Sequence, residues 1–284
     1  MTISDLKKRF QNELSEQYST SESITLFYIF ADKIFGFTRH QLRKFENQEI
    51  LKDDEDTFEN ILNDLKSGKP YQQITGEAEF YGKLFKVNEH VLIPRPETEE
   101  LLELASHYIK EFQKENKIEN LKILDIGTGS GVIPIILKLN FPNAEVHALD
   151  VSEEALEIAK QNAALHEVDI QFYKKDILNE SPSDMYDITI SNPPYIGIDE
   201  NINIEDSVKS FEPNLALFSP TEDVLIFYKR IAELGKSHLK EKGLIFLEIN
   251  QKYGPETLEL YREFEVSKLI KDLSDNDRMI YVKK

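Results

Sequence analysis

Four consecutive residues, Asn192-Pro193-Pro194-Tyr195, combine side chains that could hold a planar nitrogen for reaction. Proline stiffens the backbone and donates no hydrogen bond, so the Pro193 carbonyl is left as a fixed acceptor, and the Asn192 side-chain oxygen supplies a second one nearby. Two acceptors on a rigid loop suit an amino group with two hydrogens to give. Tyr195 adds an aromatic face on which a flat group can stack. An amide or aniline-type nitrogen is a poor nucleophile because its lone pair is delocalised. Holding both N–H groups favours pyramidalisation and aims the recovered lone pair at an electrophile. Positioning of this kind is worth roughly several kcal/mol of barrier, and no strong general base is needed if the proton leaves after transfer. An isolated Asn-Pro-Pro-Tyr is usually only a proline-rich turn, so its place in the chain decides its meaning.

A second constellation supplies that place. Ile123-Leu124-Asp125-Ile126-Gly127-Thr128-Gly129-Ser130-Gly131 reads as a buried strand running through a glycine turn into a helix. Such a turn lets backbone approach a ligand where a side chain would collide. The next strand ends at Asp150, nineteen residues after Gly131, where a carboxylate can accept from both ribose hydroxyls. The pair indicates a nucleoside cofactor. A dinucleotide fingerprint would need a third glycine at position 132, which is Val132. Asp125, just before the turn, suits S-adenosylmethionine (product S-adenosylhomocysteine) better, because that molecule is cationic and carries no phosphate. Asp176, after the apolar run Ile170 to Tyr173, could accept from the adenine amino group, with Ile177 packing on the ring. Each acid alone reads as a solvated loop residue. Three at the C-terminal ends of consecutive strands, where open sheets bind ligands, read as a site.

The elements that must position these residues are legible from periodicity. Apolar runs at 121–126, 145–149, 169–173, 186–191 and 243–249 alternate with helical stretches at 132–139, 153–165 and 222–239, which predicts an α/β, mostly parallel, doubly wound sheet. Segments 264–270 and 278–283 predict two further strands. Residues 1–70 read as a small helical N-terminal domain, with helices over Ser4–Leu14, Ser21–Phe35 and Asp54–Leu65. Residues 71–95 read as a hairpin connector, because Gly68-Lys69-Pro70 breaks the helical pattern and residues 73–87 alternate around Gly76 and Gly82. A helix starting at Pro96 then opens the remainder, 96–284.

Composition excludes several classes. Apolar stretches such as Val132 to Leu137 fall far short of the ~20 residues needed to span a bilayer, and the N-terminus has no apolar core of a signal peptide. With no cysteine there is no disulfide, thiolate nucleophile or Cys-ligated zinc, and no metal site is expected; a cytoplasmic location fits. The 52 acidic against 34 basic residues, a net charge of −18, oppose a nucleic-acid substrate.

Taken together, the segments Gly68–Gly76, Leu92-Ile93-Pro94-Arg95-Pro96-Glu97-Thr98-Glu99, Asp125–Gly131, Ser191–Ile196, Phe211-Glu212-Pro213, Ala216-Leu217 and Asp275-Asn276-Asp277-Arg278 resemble the HemK/PrmC family, the release factor glutamine methyltransferases. The resemblance implies a Rossmann-like seven-stranded S-adenosylmethionine-dependent methyltransferase sheet beside a small helical N-terminal domain that docks substrate. It implies methylation of the side-chain amide nitrogen (N5) of the glutamine in the Gly-Gly-Gln motif of peptide chain release factors. Gly127, Thr128, Gly129, Ser130, Gly131, Asp150, Ile177 and Asn192 would then line the cofactor site, and Asn192, Pro193, Pro194 and Tyr195 would hold the glutamine. One departure is Glu248-Ile249-Asn250, where the family commonly has glycine at the third position, and a changed turn is expected there.

Four other readings compete, one of them a non-catalytic binding protein, which would keep the fold without needing the Asn-Pro-Pro-Tyr loop. A ribosomal-protein glutamine methyltransferase would share nearly every motif. An adenine-N6 DNA or RNA methyltransferase would use the same loop chemistry but needs positive surface and base flipping. A nicotinamide-dependent dehydrogenase shares the fold, yet Val132 and the lack of an acid-base histidine at a strand end oppose it.

Overall fold

The computed structural model describes residues 1–197 and 210–284, and the chain divides into two compact units, one of Met1–Gly76 with Glu205–Phe211 and one of Glu77–Ile204 with Glu212–Lys284. In the first unit, α1 (Ile3–Glu13), α2 (Thr20–Phe35), α3 (Arg39–Lys44), α4 (Lys52–Lys66) and α5 (Tyr71–Thr75) surround a core of Leu6, Phe10, Phe27, Phe30, Phe58 and Leu62. Phe10 meets Phe27 and Phe58 edge-on, both with ring centroids 5.7 Å apart. Reciprocal capping boxes start α1 at Thr2, α2 at Ser19 and α3 at Thr38. The six-residue α3 escapes a periodicity search because it buries only Leu42, although Thr38-x-x-Gln41 is its sequence signature. Residues 71–75 are helical, not extended: Tyr71 and Ile74 pack on the helical core, and Gly76 ends the turn in the left-handed conformation at φ 73°.

The second unit begins with a hairpin of β1 (Glu77–Phe80) and β2 (Lys83–Lys86), followed by α6 (Pro96–Asn116). Chain order then runs β3 (Lys122–Ile126), α7 (Val132–Asn140), β4 (Glu145–Asp150), α8 (Glu153–Leu165), β5 (Gln171–Lys174) and β6 (Tyr186–Ser191). It continues through α9 (Asn214–Leu217), α10 (Ile226–His238), β7 (Leu239–Glu248), α11 (Gly254–Glu259), β8 (Val266–Lys271) and β9 (Asp277–Lys283). The seven-stranded sheet has the order β5-β4-β3-β6-β7-β9-β8, with β9 antiparallel to both of its neighbours and the other pairings parallel. Its central strands β3, β6 and β7 are near-continuously buried because helices cover both faces, which is why they read as apolar runs without alternation. One core layer holds Leu101, Ile109, Ile123, Ile136 and Phe246; the other holds Leu124, Tyr186, Tyr228, Ile245 and Tyr261. The strand order reverses at β3, where β4 lies to one side and β6 to the other, and crevices at such reversals are where open α/β sheets bind ligands.

Candidate active site

Register brings the two sequence constellations together. Ile126 of β3 is paired with Ser191 of β6, and the Ser191 hydroxyl donates to the Ile126 carbonyl at 2.7 Å. The glycine turn and the Asn-Pro-Pro-Tyr loop therefore leave the sheet side by side. They open onto a cavity of about 310 Å³ lined by Gly127–Ser130, Asp150, Asp176, Ile177 and Asn192–Pro194, among others. Gly131 does not line it. Its φ of 81° and the closeness of Ala159, whose Cβ would lie 3.0 Å from an added Cβ, make glycine necessary for seating α7 against α8.

The glycine turn is pinned from below. The amides of Gly127 and Thr128 both donate to the Leu149 carbonyl at 2.9 Å, which ties the turn to the end of β4. Gly129 N–H donates to Asp150 Oδ2 at 2.8 Å and Ser152 N–H to Oδ1 at 2.9 Å, which fixes the carboxylate on the cavity wall with acceptor capacity left for a ligand. Asn162 of α8 accepts from the Lys86 amide at 2.7 Å and donates to the Lys86 and Ser130 carbonyls, clamping the hairpin to the turn. No periodicity marks Asn162, because a buried side chain that bonds only backbone leaves no partner residue type to look for.

Three acids occupy three different environments. Asp125 lies within β3, fully buried, and among the described residues neither of its oxygens nor the Thr128 hydroxyl has a partner with hydrogen-bond geometry. Burial pushes the Asp125 carboxyl up to about 7, with the Thr128 side chain opposing and the charge of Asp150 adding. Burial also raises Asp150, against the amides of Ser152, Gly129 and Val151. A desolvated carboxylate without a counter-ion is costly. Asp150 lines the cavity, where a carboxylate suits a cationic ligand and would repel a pyrophosphate, whereas Asp125 is not among the lining residues. Asp176 accepts from the Leu178 amide at 3.0 Å and from Asn179 Nδ2 at 2.6 Å, so it also shapes its own turn. Arg230 of α10 donates to the Ile177 carbonyl at 2.9 Å and holds that turn against the cavity.

On the Asn-Pro-Pro-Tyr loop, Asn192 Nδ2 donates to the Thr98 hydroxyl at 3.2 Å, and Thr98 donates to Glu248 Oε2 at 2.7 Å. Tyr195 does not line the cavity. It packs against the core layer of β7 and α10, and its carbonyl accepts from Asn250 Nδ2 at 3.2 Å. Burial, then the charge of Glu248, raises its phenol, while Arg278 opposes. Asn250 sits at an ordinary φ of −71°, accepts from Lys252 N–H and braces the loop, so the turn does not require the family's glycine. Sequence reasoning passed over Thr98, Arg95, His90 and Phe227, which line the cavity. Two distant motifs meet at Glu212, which accepts from the Ile93 amide at 3.0 Å and pairs with Arg95. His147, in contrast, lies buried mid-strand in β4, bonded to Tyr186 and Glu145 away from the cavity.

A sheet of this order, with a glycine turn, acidic strand ends and an acceptor loop at its reversal, defines a Rossmann-like S-adenosylmethionine-dependent methyltransferase. A family model of the methyltransferase small domain matches residues 103–208. The chain is 44% identical over 290 residues to the release factor glutamine methyltransferase of Flavobacterium psychrophilum, covering 99% of both chains. It is 40% identical to that of Streptococcus pneumoniae, covering 99% of this chain and 98% of that one. Among solved structures it is similar to a methyltransferase from Pyrococcus furiosus, at 19% identity and a TM-score of 0.49 over 79% of this chain and 98% of that one. The chain belongs to the release factor glutamine methyltransferase family. Among the described residues no helix is long and apolar enough to cross a membrane.

Proposed function

We propose that this enzyme methylates the side-chain amide nitrogen (N5) of the glutamine in the Gly-Gly-Gln motif of peptide chain release factors, in the cytoplasm, with no direct nucleic-acid substrate. The observation that carries this reading is the juxtaposition of Asn192-Pro193-Pro194 with the glycine turn at the sheet reversal. S-adenosylmethionine supplies an electrophilic methyl group on a cationic sulfur. The cavity fits it: Asp150 on its wall keeps acceptor capacity for ribose hydroxyls and Ile177 offers an apolar face for adenine, while Asp125, outside the lining, is a buried carboxylate in the strand that leads into the glycine turn. Gly127 to Ser130 would lie along the cofactor with their backbone, and Gly131 shapes that turn from behind. Asp176 would meet the adenine amino group.

Asn192 and the Pro193 carbonyl accept the two amide hydrogens and orient the nitrogen lone pair, while Pro194 stiffens the loop and Tyr195 anchors it to the core. Residues 1–70 form the surface that docks the protein substrate, the hairpin region 71–95 connects, and 96–284 carries catalysis. The direct test is incubation with labelled S-adenosylmethionine and a purified release factor, followed by peptide mass mapping. One methyl group on the Gly-Gly-Gln glutamine is expected. Label entering RNA or a ribosomal protein instead would overturn the assignment.

A further inference from the structure

Thr98 is buried at the third position of α6, 4% exposed, between Asn192 on the loop after β6 and Glu248 at the end of β7, itself 1% exposed. A hydroxyl has one proton to give. Thr98 directs it to Glu248 Oε2 at 2.7 Å, so toward Asn192 it can only accept, and the Asn192 atom facing it at 3.2 Å must be the NH2 group. The Asn192 oxygen then has no protein partner among the described residues, on a residue that lines the cavity. We propose that Thr98 and Glu248 are positioning residues that lock the Asn192 amide with its oxygen toward the reacting nitrogen, which rests on the glutamine-methylating role given above. An asparagine turned the other way would present a donor to a substrate N–H, which repels it and removes one of the two acceptors.

The lock depends on Glu248 being a carboxylate. The groups facing it are Arg278 from β9, Glu97 from α6, the Tyr195 phenol, and Tyr228 of α10, whose hydroxyl donates to the Glu248 carbonyl at 3.1 Å. Arg278 is shared with Asp272 at 3.3 Å, and burial outweighs its charge, holding the Glu248 carboxyl up at about 7. Once protonated, Glu248 no longer demands the Thr98 proton. The hydroxyl can then donate to the Asn192 oxygen, and the amide is free to flip. Activity is therefore retained above that pH and lost below it.

The test combines kinetics with a direct view of the amide. With release factor as substrate and saturating S-adenosylmethionine, Thr98→Val should lower kcat by about 10- to 100-fold with KM little changed, the signature of lost orientation. Thr98→Ser, which keeps the hydroxyl, should restore most of it. Glu248→Gln, which is never a carboxylate, should lower kcat at every pH and leave no acid limb near pH 7. Independently of turnover, the 15N–1H side-chain amide signals of Asn192, assigned by their loss in Asn192→Asp, should titrate near pH 7 in the wild-type protein. They should match wild type in Thr98→Ser and shift in Thr98→Val. Amide signals that neither titrate nor respond to Thr98→Val would overturn the lock. A wild-type enzyme that labels no glutamine yet shows the amide titration would overturn the substrate assignment and leave the lock standing.

Discussion

Replacing Asp125 by asparagine separates electrostatics from shape, because the two side chains are nearly isosteric. The carboxyl is raised from 3.8 to about 7, chiefly by burial. That elevation corresponds to roughly 4 kcal/mol by which the ligand-free fold disfavours the ionised form. The sign follows from linkage: the folded state binds this proton more tightly than the unfolded one, so stability rises as pH falls from about 7 toward 4. Between pH 8 and pH 6 the group alone contributes about 1.4 kcal/mol to the ligand-free protein, or about 3–5 °C in Tm for a unit of this size. Asp125→Asn should erase that increment. Glu248 titrates in the same range, so the informative quantity is the difference between wild type and variant at the two pH values, read by scanning calorimetry. A cationic ligand reverses the preference. S-adenosylmethionine should bind wild type about tenfold more weakly at pH 6 than at pH 8, since only about a tenth of Asp125 is ionised at the lower value. The variant should bind weakly at both, by isothermal titration. A wild-type and a variant protein with parallel pH dependence in both measurements would refute the idea that Asp125 is a buried counter-charge.

Asp150→Ala removes the acceptor of the Gly129 amide and the lone pairs assigned to ribose, so cofactor affinity should fall by about 10- to 100-fold in calorimetry. Gly131→Ala places a methyl 3.0 Å from Ala159 Cβ at φ 81°, and left-handed strain plus overpacking should cost about 2–4 kcal/mol, seen as a lowered urea midpoint. Asn250→Gly loses the bonds to the Tyr195 carbonyl and the Lys252 amide. About 1–2 kcal/mol of stability should go with them, together with faster exchange of loop amides.

The sequence by itself determined the sheet and the chemistry of its loops. Buried parallel strands need unbroken apolar runs, and a glycine turn, an acid at a strand end and Asn192-Pro193-Pro194 are local combinations that a few residues spell out. Short elements were illegible: α3 buries one residue, and α5 is drawn into helical form by Ile74 meeting the helical core rather than by its own periodicity. Tertiary structure alone decided three matters. Pairing of Ile126 with Ser191 set the two motifs side by side. Burial of Asp125 without a partner pushes its carboxyl well above the usual carboxylate range, which its residue type does not encode. Thr98 and Glu248, 150 positions apart, became the neighbours that orient Asn192. Each depends on distance through space, and neither burial nor a hydrogen bond between remote residues is written in local spacing.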